Sequence, residues 1–203
     1  MRSTRYKAFS VLAAGAVALS SLSACTTTNS SETFSFHSPG GQVEIFYDED
    51  ERAPLEDFSG ESLMEPDKEI SLSDFDGQIV VLNAWGQWCA PCRAEVDDLE
   101  EVHQHLADTG DDGTPTGTVL GINVRDPQRE IARDFVTDNG VTYPSIYDPS
   151  FRTAGALGGI PTSVIPTTVI LDKQHRPAAV FLREISADDI IQVTDRLAAE
   201  AEA

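Results

Sequence analysis

Ile79-Val80-Val81-Leu82-Asn83-Ala84-Trp85-Gly86-Gln87-Trp88-Cys89-Ala90-Pro91-Cys92 is the stretch from which the fold of this chain can be read. It opens with β-branched and apolar residues, too few for a free-standing helix, and reads as a buried strand. It closes in Cys-x-x-Cys, after which Val96 and Leu99 recur at helical spacing. A strand running into two cysteines at the first turn of a helix is a redox arrangement. Unpaired N–H groups and partial positive charge at a helix N-terminus favour a thiolate on the first cysteine. The two intervening residues let the second sulfur reach the first. Pro91 suits a first helical turn, where a missing N–H costs little.

Cys-x-x-Cys is also half of a structural zinc site. That use needs two more ligands, and the chain has 3 cysteines. His103 and His105 are nearest, but His-x-His on a helix points its rings apart and departs from the usual zinc spacing. The redox reading is preferred, with no metal.

Trp88-Cys89-Ala90-Pro91-Cys92, preceded by Val81-Leu82-Asn83-Ala84-Trp85, resembles the active-site segment of the thioredoxin superfamily. More narrowly it is similar to the TlpA/ResA-like thiol-disulfide oxidoreductases, which are membrane-anchored and extracytoplasmic. The resemblance extends from about Ala53 to the C-terminus. It implies an α/β, thioredoxin-like fold, a mixed β-sheet flanked by helices.

The N-terminus carries Arg2, Arg5 and Lys7, then an apolar segment from Ala8 to Leu22. That segment is short for a spanning helix, which needs about twenty residues, but suits a signal sequence. Leu22-Ser23-Ala24-Cys25 resembles a bacterial lipobox, in which the cysteine is lipidated and becomes the new N-terminus. A lone unpaired thiol in an exported protein needs such a reason. Residues 1–24 therefore read as a lipoprotein signal peptide and 25–35 as a flexible tether, leaving 36–203 as a thioredoxin-like domain. With Cys25 used by the lipid, Cys89 and Cys92 are the remaining pair.

The chain has 14 basic and 34 acidic residues, net −20, which becomes −23 once the three leader cations are removed. Nucleic-acid binding is excluded, because phosphate contacts need Lys and Arg. The acids are dispersed over Asp48 to Glu51, Asp97 to Glu101 and Asp108 to Asp112, and read as a solvated surface.

Gln42 to Tyr47 reads as a strand after the Pro39-Gly40-Gly41 turn, and Ile70 to Gly77 as a strand and turn. Together they predict an N-terminal β-hairpin extension. The helix after the dithiol is expected to run to about Leu106. Thr118 to Val124 reads as a parallel strand. Gln128 to Asn139 reads as an amphipathic helix with Ile131, Phe135 and Val136 on one face. A short helix near Phe151 to Leu157, strands Thr167 to Leu171 and Ala178 to Leu182, and a last helix capped near Ser186 complete one domain.

Cys89, at an exposed helix start, is the expected nucleophile, and Cys92, one turn inward, the resolving thiol. The resemblance implies a cis-proline opening the strand that faces the dithiol, with the preceding backbone pairing to substrate. Pro166 begins such a strand and is preferred to Pro161, which has similar flanks. Ile165 and Thr167 beside it, with Trp88, are the expected substrate-binding residues. Glu95 lies three residues after Cys92, about one turn on. Relatives often place a glutamate there as proton acceptor or redox tuner; the alternative is a surface glutamate beside Arg93. Asn83 stands where cytoplasmic thioredoxins carry a buried aspartate.

These residues predict a lipid-anchored extracytoplasmic protein-disulfide reductase that needs no cofactor. The resemblance implies a membrane thiol electron donor of the CcdA/DsbD type, and apocytochrome c as a client in cytochrome c maturation. A reducing dithiol is expected because no histidine lies between the cysteines and Arg93 is set against Glu95, Asp97 and Asp98. The alternatives are a thiol oxidase or isomerase on the same fold, or a non-enzymatic lipoprotein holding Cu(I) on both thiols, with Met64 or a histidine. A peroxidase is disfavoured, because the Pro-x-x-x-Thr-x-x-Cys pattern is missing.

Overall fold

Every residue from Ile79 to Trp85 is buried, so the central run has apolar neighbours on both faces, as a strand between two layers must. The computed structural model describes residues 33–107 and 113–200. In chain order the elements are β1 (Glu44–Phe46), β2 (Ser59–Glu61), β3 (Glu69–Ser71), β4 (Ile79–Trp85), α1 (Ala90–Ala94), α2 (Val96–Ala107), β5 (Gly117–Asn123), α3 (Arg129–Asp138), β6 (Ser145–Tyr147), β7 (Thr167–Leu171), β8 (Pro177–Phe181) and α4 (Ala187–Glu200). Six strands make one mixed sheet in the order β1-β8-β7-β4-β5-β6, and β2 and β3 form a separate ribbon. This is the thioredoxin-like α/β architecture.

β4 pairs in parallel with β5 and antiparallel with β7. Because β7 runs against β4, it begins where β4 ends. The same edge of the sheet therefore carries the dithiol turn and the peptide before Thr167. Side chains alternate across the sheet. Val80 and Leu82 face a core shared with Leu120, Ile122, Val169 and Val180. Ile79 and Val81 face the helices, where Leu99, Val102 and Leu106 of α2 meet Ile190, Val193 and Leu197 of α4. Gly121 is required at its place in β5, since a Cβ there would lie 2.2 Å from Ser145 Oγ and 2.8 Å from Trp85 Nε1.

Several expectations need correction. The 42–47 segment does not join a hairpin extension: β1 lies on the main sheet, with Ile45 opposite Val180. The hairpin is β2–β3, with Gly60 opposite Ile70. Strands of three residues carry too little alternation to name their partner. The tether ends earlier than Ser35, for Phe34 is buried, stacks edge-on against Tyr47, and donates its N–H to Pro54 O at 3.0 Å. The helix after the dithiol is interrupted at Glu95, whose φ of −90° and ψ of 0° close α1. In α3, Ile131 is exposed, and Ala132 and Val136 are the buried residues. The signal segment, Cys25 and Asp108 to Asp112 lie outside the described residues.

Arg52 ties the N-terminal segment to the C-terminal helix. Its buried guanidinium donates to Glu200 at 2.7 and 3.3 Å and to Tyr47 O at 3.1 Å, and lies 3.5 Å from Asp172. No helix among the described residues is long and apolar enough to cross a membrane.

Candidate active site

Cys89 and Cys92 are joined by a disulfide, with their Cα atoms 5.3 Å apart. Cys89 is the N-cap of α1: its backbone is extended, and its Sγ accepts the Cys92 N–H at 3.2 Å. The Cys89 N–H is taken by Gly86 O at 3.0 Å, which folds the turn back on the end of β4. Pro91 occupies the first helical turn, as its fixed φ allows. The expected exposed nucleophile is not seen in the disulfide state. Cys89 and Cys92 are buried alike, at 4% and 5% exposure, while Trp88 beside them is 43% exposed. The Trp88 indole N–H donates to Val124 O at 3.0 Å, which fixes the ring over the site's rim.

The Ile165–Pro166 peptide is cis, and Ile165 O lies 3.7 Å from Cys89 Sγ. Thr167 is buried and turns its hydroxyl back to Val164 O at 2.8 Å, so its side chain shapes this loop and does not face outward. Ile160, before Pro161, is buried in the core.

Glu95 is not a surface charge. It is 1% exposed, its Oε1 accepts the Asn83 side-chain amide at 2.9 Å, and its Oε2 accepts the Ile185 N–H at 3.2 Å. Burial pushes its carboxyl up to about 7, against the pull of those two hydrogen bonds, with Glu184 and Asp98 adding to the rise. Arg93 does not face it: its guanidinium donates to Gln87 O at 2.8 Å. Asp98 is also engaged, accepting the Ala187 N–H at 2.9 Å. Asn83 also donates to Thr168 Oγ1 at 3.0 Å, and its own Oδ1 is buried without a protein partner. A small cavity separates Asn83 from Cys92, walled also by Trp85 and Tyr143. The Tyr143 phenol is pushed well above its ordinary value, first by burial and then by Glu95 and Glu100. It is a wall and not a proton donor or acceptor at neutral pH.

Residues missed in the sequence complete the site. Asp126 is buried and accepts the Gln87 N–H at 2.9 Å and the Asn123 amide at 2.7 Å, holding the turn before Trp88. Ile185 contributes a main-chain N–H, for which side-chain patterns give no signal. The metal candidates disperse: His105 pairs with Asp195 at 2.8 Å, and His103 stands edge-on to Tyr143. Met64 is exposed. Among the described residues no three His, Cys, Asp or Glu side chains converge as ligands.

The family model described as AhpC/TSA family matches residues 51–176, more than half of the chain. The chain belongs to the AhpC/TSA family. Within that AhpC/TSA frame the positions of the Pro-x-x-x-Thr-x-x-Cys pattern relative to Cys89 hold Leu82 and Gly86 in place of Pro and Thr. A secreted thiol-disulfide isomerase from Corynebacterium glutamicum is 63% identical, with a TM-score of 0.79, covering 82% of this chain and 98% of that one. A DsbF homologue from Corynebacterium diphtheriae is also 63% identical, with a TM-score of 0.75 and 81% and 99% coverage. Among curated proteins, the thiol-disulfide oxidoreductase ResA of Geobacillus thermodenitrificans is 29% identical over 125 residues, 62% of this chain. The match spans 66% of that relative's length, just under two thirds.

Proposed function

We propose that this chain is an exported thiol-disulfide oxidoreductase, tethered to the membrane through a lipid on Cys25, whose reduced Cys89 opens disulfides in client proteins. One observation carries the reading: the Cys89–Cys92 disulfide sits at the first turn of α1 with Cys89 Sγ 3.7 Å from the Ile165 carbonyl. An extended client segment lying along Ile165 would bring its sulfur to Cys89.

In the reduced protein the Cys89 thiolate bonds to one client sulfur. The client S–S bond breaks, and its other sulfur leaves with the electron pair and takes a proton. Cys92 then loses its proton and attacks Cys89 Sγ, releasing the client as a dithiol and leaving the protein oxidised by two electrons. A group that titrates near the working pH is suited to take the Cys92 proton, and Glu95, raised to about 7, is such a group. Electrons to restore the dithiol would come from a membrane thiol carrier of the CcdA/DsbD type. Apocytochrome c, whose haem-binding cysteines must be reduced, is the client class we propose from the TlpA/ResA-like resemblance of the dithiol segment.

Isomerisation shares the first of these steps and differs in its ending, where a client thiol displaces Cys89. It is favoured by the 63% identity to the secreted isomerase of C. glutamicum. The acidic field around Cys89, which would favour net reduction, is weaker than the sequence implies. Glu95 is turned inward and Asp98 is bound to the Ala187 N–H. Equilibration with a glutathione series separates the outcomes. Net reduction requires a potential nearer the roughly −270 mV of thioredoxin than the roughly −120 mV of DsbA, and a value above about −180 mV overturns it. Trapping with Cys92→Ala at the cell surface identifies what is attached: a membrane donor with few secreted proteins supports net reduction, and many newly secreted proteins point to oxidation. Cys25→Ser should release the protein from the membrane fraction.

A further inference from the structure

We propose that the exchange site selects client segments bearing a carboxylate beside the attacked cysteine, read by Arg93 and Arg125; this rests on the thiol-exchange reading above.

In a chain with 34 acidic residues carboxylates are plentiful partners for a guanidinium. Away from the dithiol, Arg133 and Arg152 stand without an ion pair among the described residues, whereas the other described arginines find one. Arg52 takes Glu200, Arg129 takes Glu61, Arg176 takes Asp172, and Arg183 takes Glu44 and Asp189. Arg93 and Arg125 are exposed and, among the described residues, are held by neutral main-chain carbonyls alone. Arg93 reaches Gln87 O at 2.8 Å, and its own N–H is bonded to Cys89 O at 3.2 Å. Arg125 reaches Thr162 O at 2.6 Å, and its guanidinium lies 6.0 Å from the centre of the Trp88 ring. Both cations therefore bear on the Trp88–Cys89 segment, one through the turn before it and one across the exposed indole.

A guanidinium carries five N–H donors in a planar fork. One carbonyl contact leaves most of them free and neutralises none of the charge. The free edge matches a carboxylate in shape and hydrogen bonding, as a lysine would not. Arg125 also has a φ of 58°, a left-handed conformation that glycine or asparagine takes at less cost. The side chain, and not the backbone, accounts for an arginine at that position. At longer range the acidic surface repels an acidic client, but a screening length of about 8 Å in physiological salt confines that repulsion. The two arginines act at contact, where the client cysteine must sit.

The test uses two disulfide-closed peptides that differ only in Asp or Asn flanking the attacked cysteine. Each is reduced by the prereduced full-length chain in detergent. From wild type to the Arg93→Gln/Arg125→Gln double variant, the Asp-to-Asn ratio of rate constants should fall about fivefold, as two exposed charge contacts allow. In the wild type the same ratio should decline as salt is raised. A ratio equal in wild type and variant overturns the proposal. Should the double variant not fold, Arg125→Gln alone should lower the ratio about twofold, and an unchanged ratio there has the same force. Intrinsic differences between the two peptides cancel in this comparison. The neutral disulfide 4,4′-dithiodipyridine, given to the wild type, separates the two readings: failure to react with it strikes at thiol exchange itself, and not at carboxylate selection.

Discussion

Asn83 donates to Glu95 Oε1 at 2.9 Å across 12 residues of sequence, joining the middle of β4 to the break between α1 and α2 beneath the dithiol. The contact places a titratable group in the interior with one neutral partner on each oxygen, Asn83 and the Ile185 N–H. A buried carboxyl without a cation is a cost to the fold whenever it is ionised.

Stability of the oxidised protein should reflect that cost. Glu95 is raised from 4.5 to about 7, so the folded chain binds more protons than the unfolded chain between those values. Its contribution is fully present below pH 4.5 and is lost as pH rises through about 7. Glu95→Gln should remove this dependence and gain on the wild type by up to about 3 kcal/mol between pH 4.5 and 8. Urea unfolding at both pH values measures it. Parallel profiles for the two proteins would show that Glu95 keeps its ordinary acidity.

In the reduced protein the same substitution should change chemistry without changing the fold. If Glu95 takes the Cys92 proton, Glu95→Gln should alter the pH dependence of Cys89 alkylation and slow the release of mixed disulfides. Circular dichroism should match the wild type. Identical alkylation profiles would reduce Glu95 to a structural group.

Gly86 governs the position of Trp88. A Cβ at Gly86 would lie 2.2 Å from Trp88 Nε1, so Gly86→Ala must displace the indole from Val124 O. Because Trp88 is half exposed, the ring can move without opening the core. Thiol exchange with a protein client should slow about fivefold, the equivalent of one hydrogen bond, and tryptophan fluorescence should shift. Unaltered fluorescence and rate would mean that the ring is not held by this contact.

Arg52 should matter for stability and not for exchange. Arg52→Met removes the link between the N-terminal segment and α4, yet Asp172 keeps Arg176 at 2.8 Å and Glu200 can turn to solvent. The expected cost is therefore about 2 kcal/mol, below that of stranding a fully buried charge. Urea titration reads it. A change under about 0.5 kcal/mol would class the contact with ordinary surface pairs.

What was legible in the sequence was local. β4 announces itself as an unbroken apolar run, Cys89 to Cys92 as a helix start, and Pro166 by the apolar strand it opens. What was not legible depends on distant backbone. Nothing in Glu95 distinguishes it from its acidic neighbours until the Ile185 N–H arrives from 90 residues away. Once the carboxylate turns inward, the helix breaks at that residue, which spacing alone could not reveal. β1 failed for another reason: three residues with one buried side chain fit a hairpin and a sheet edge equally well. Ile131 misled because it is apolar and exposed, while Ala132, small and unremarkable, fills the space against Trp85.

The placement of β2 and β3 has a further consequence, for behaviour in a crowd of other unfolded chains. An open strand edge invites pairing with any extended segment. On the β6 side that edge is occupied by the hairpin, through Leu63 N–H to Ser145 O at 2.7 Å and the Ser62–Ile146 bridge. On the other side β1 is only three residues long and presents Glu44, already bound to Arg183. The described sheet thus offers extended chains little open edge to pair with, and on the proposed reading a client's extended backbone is met instead at Ile165, beside the sulfurs.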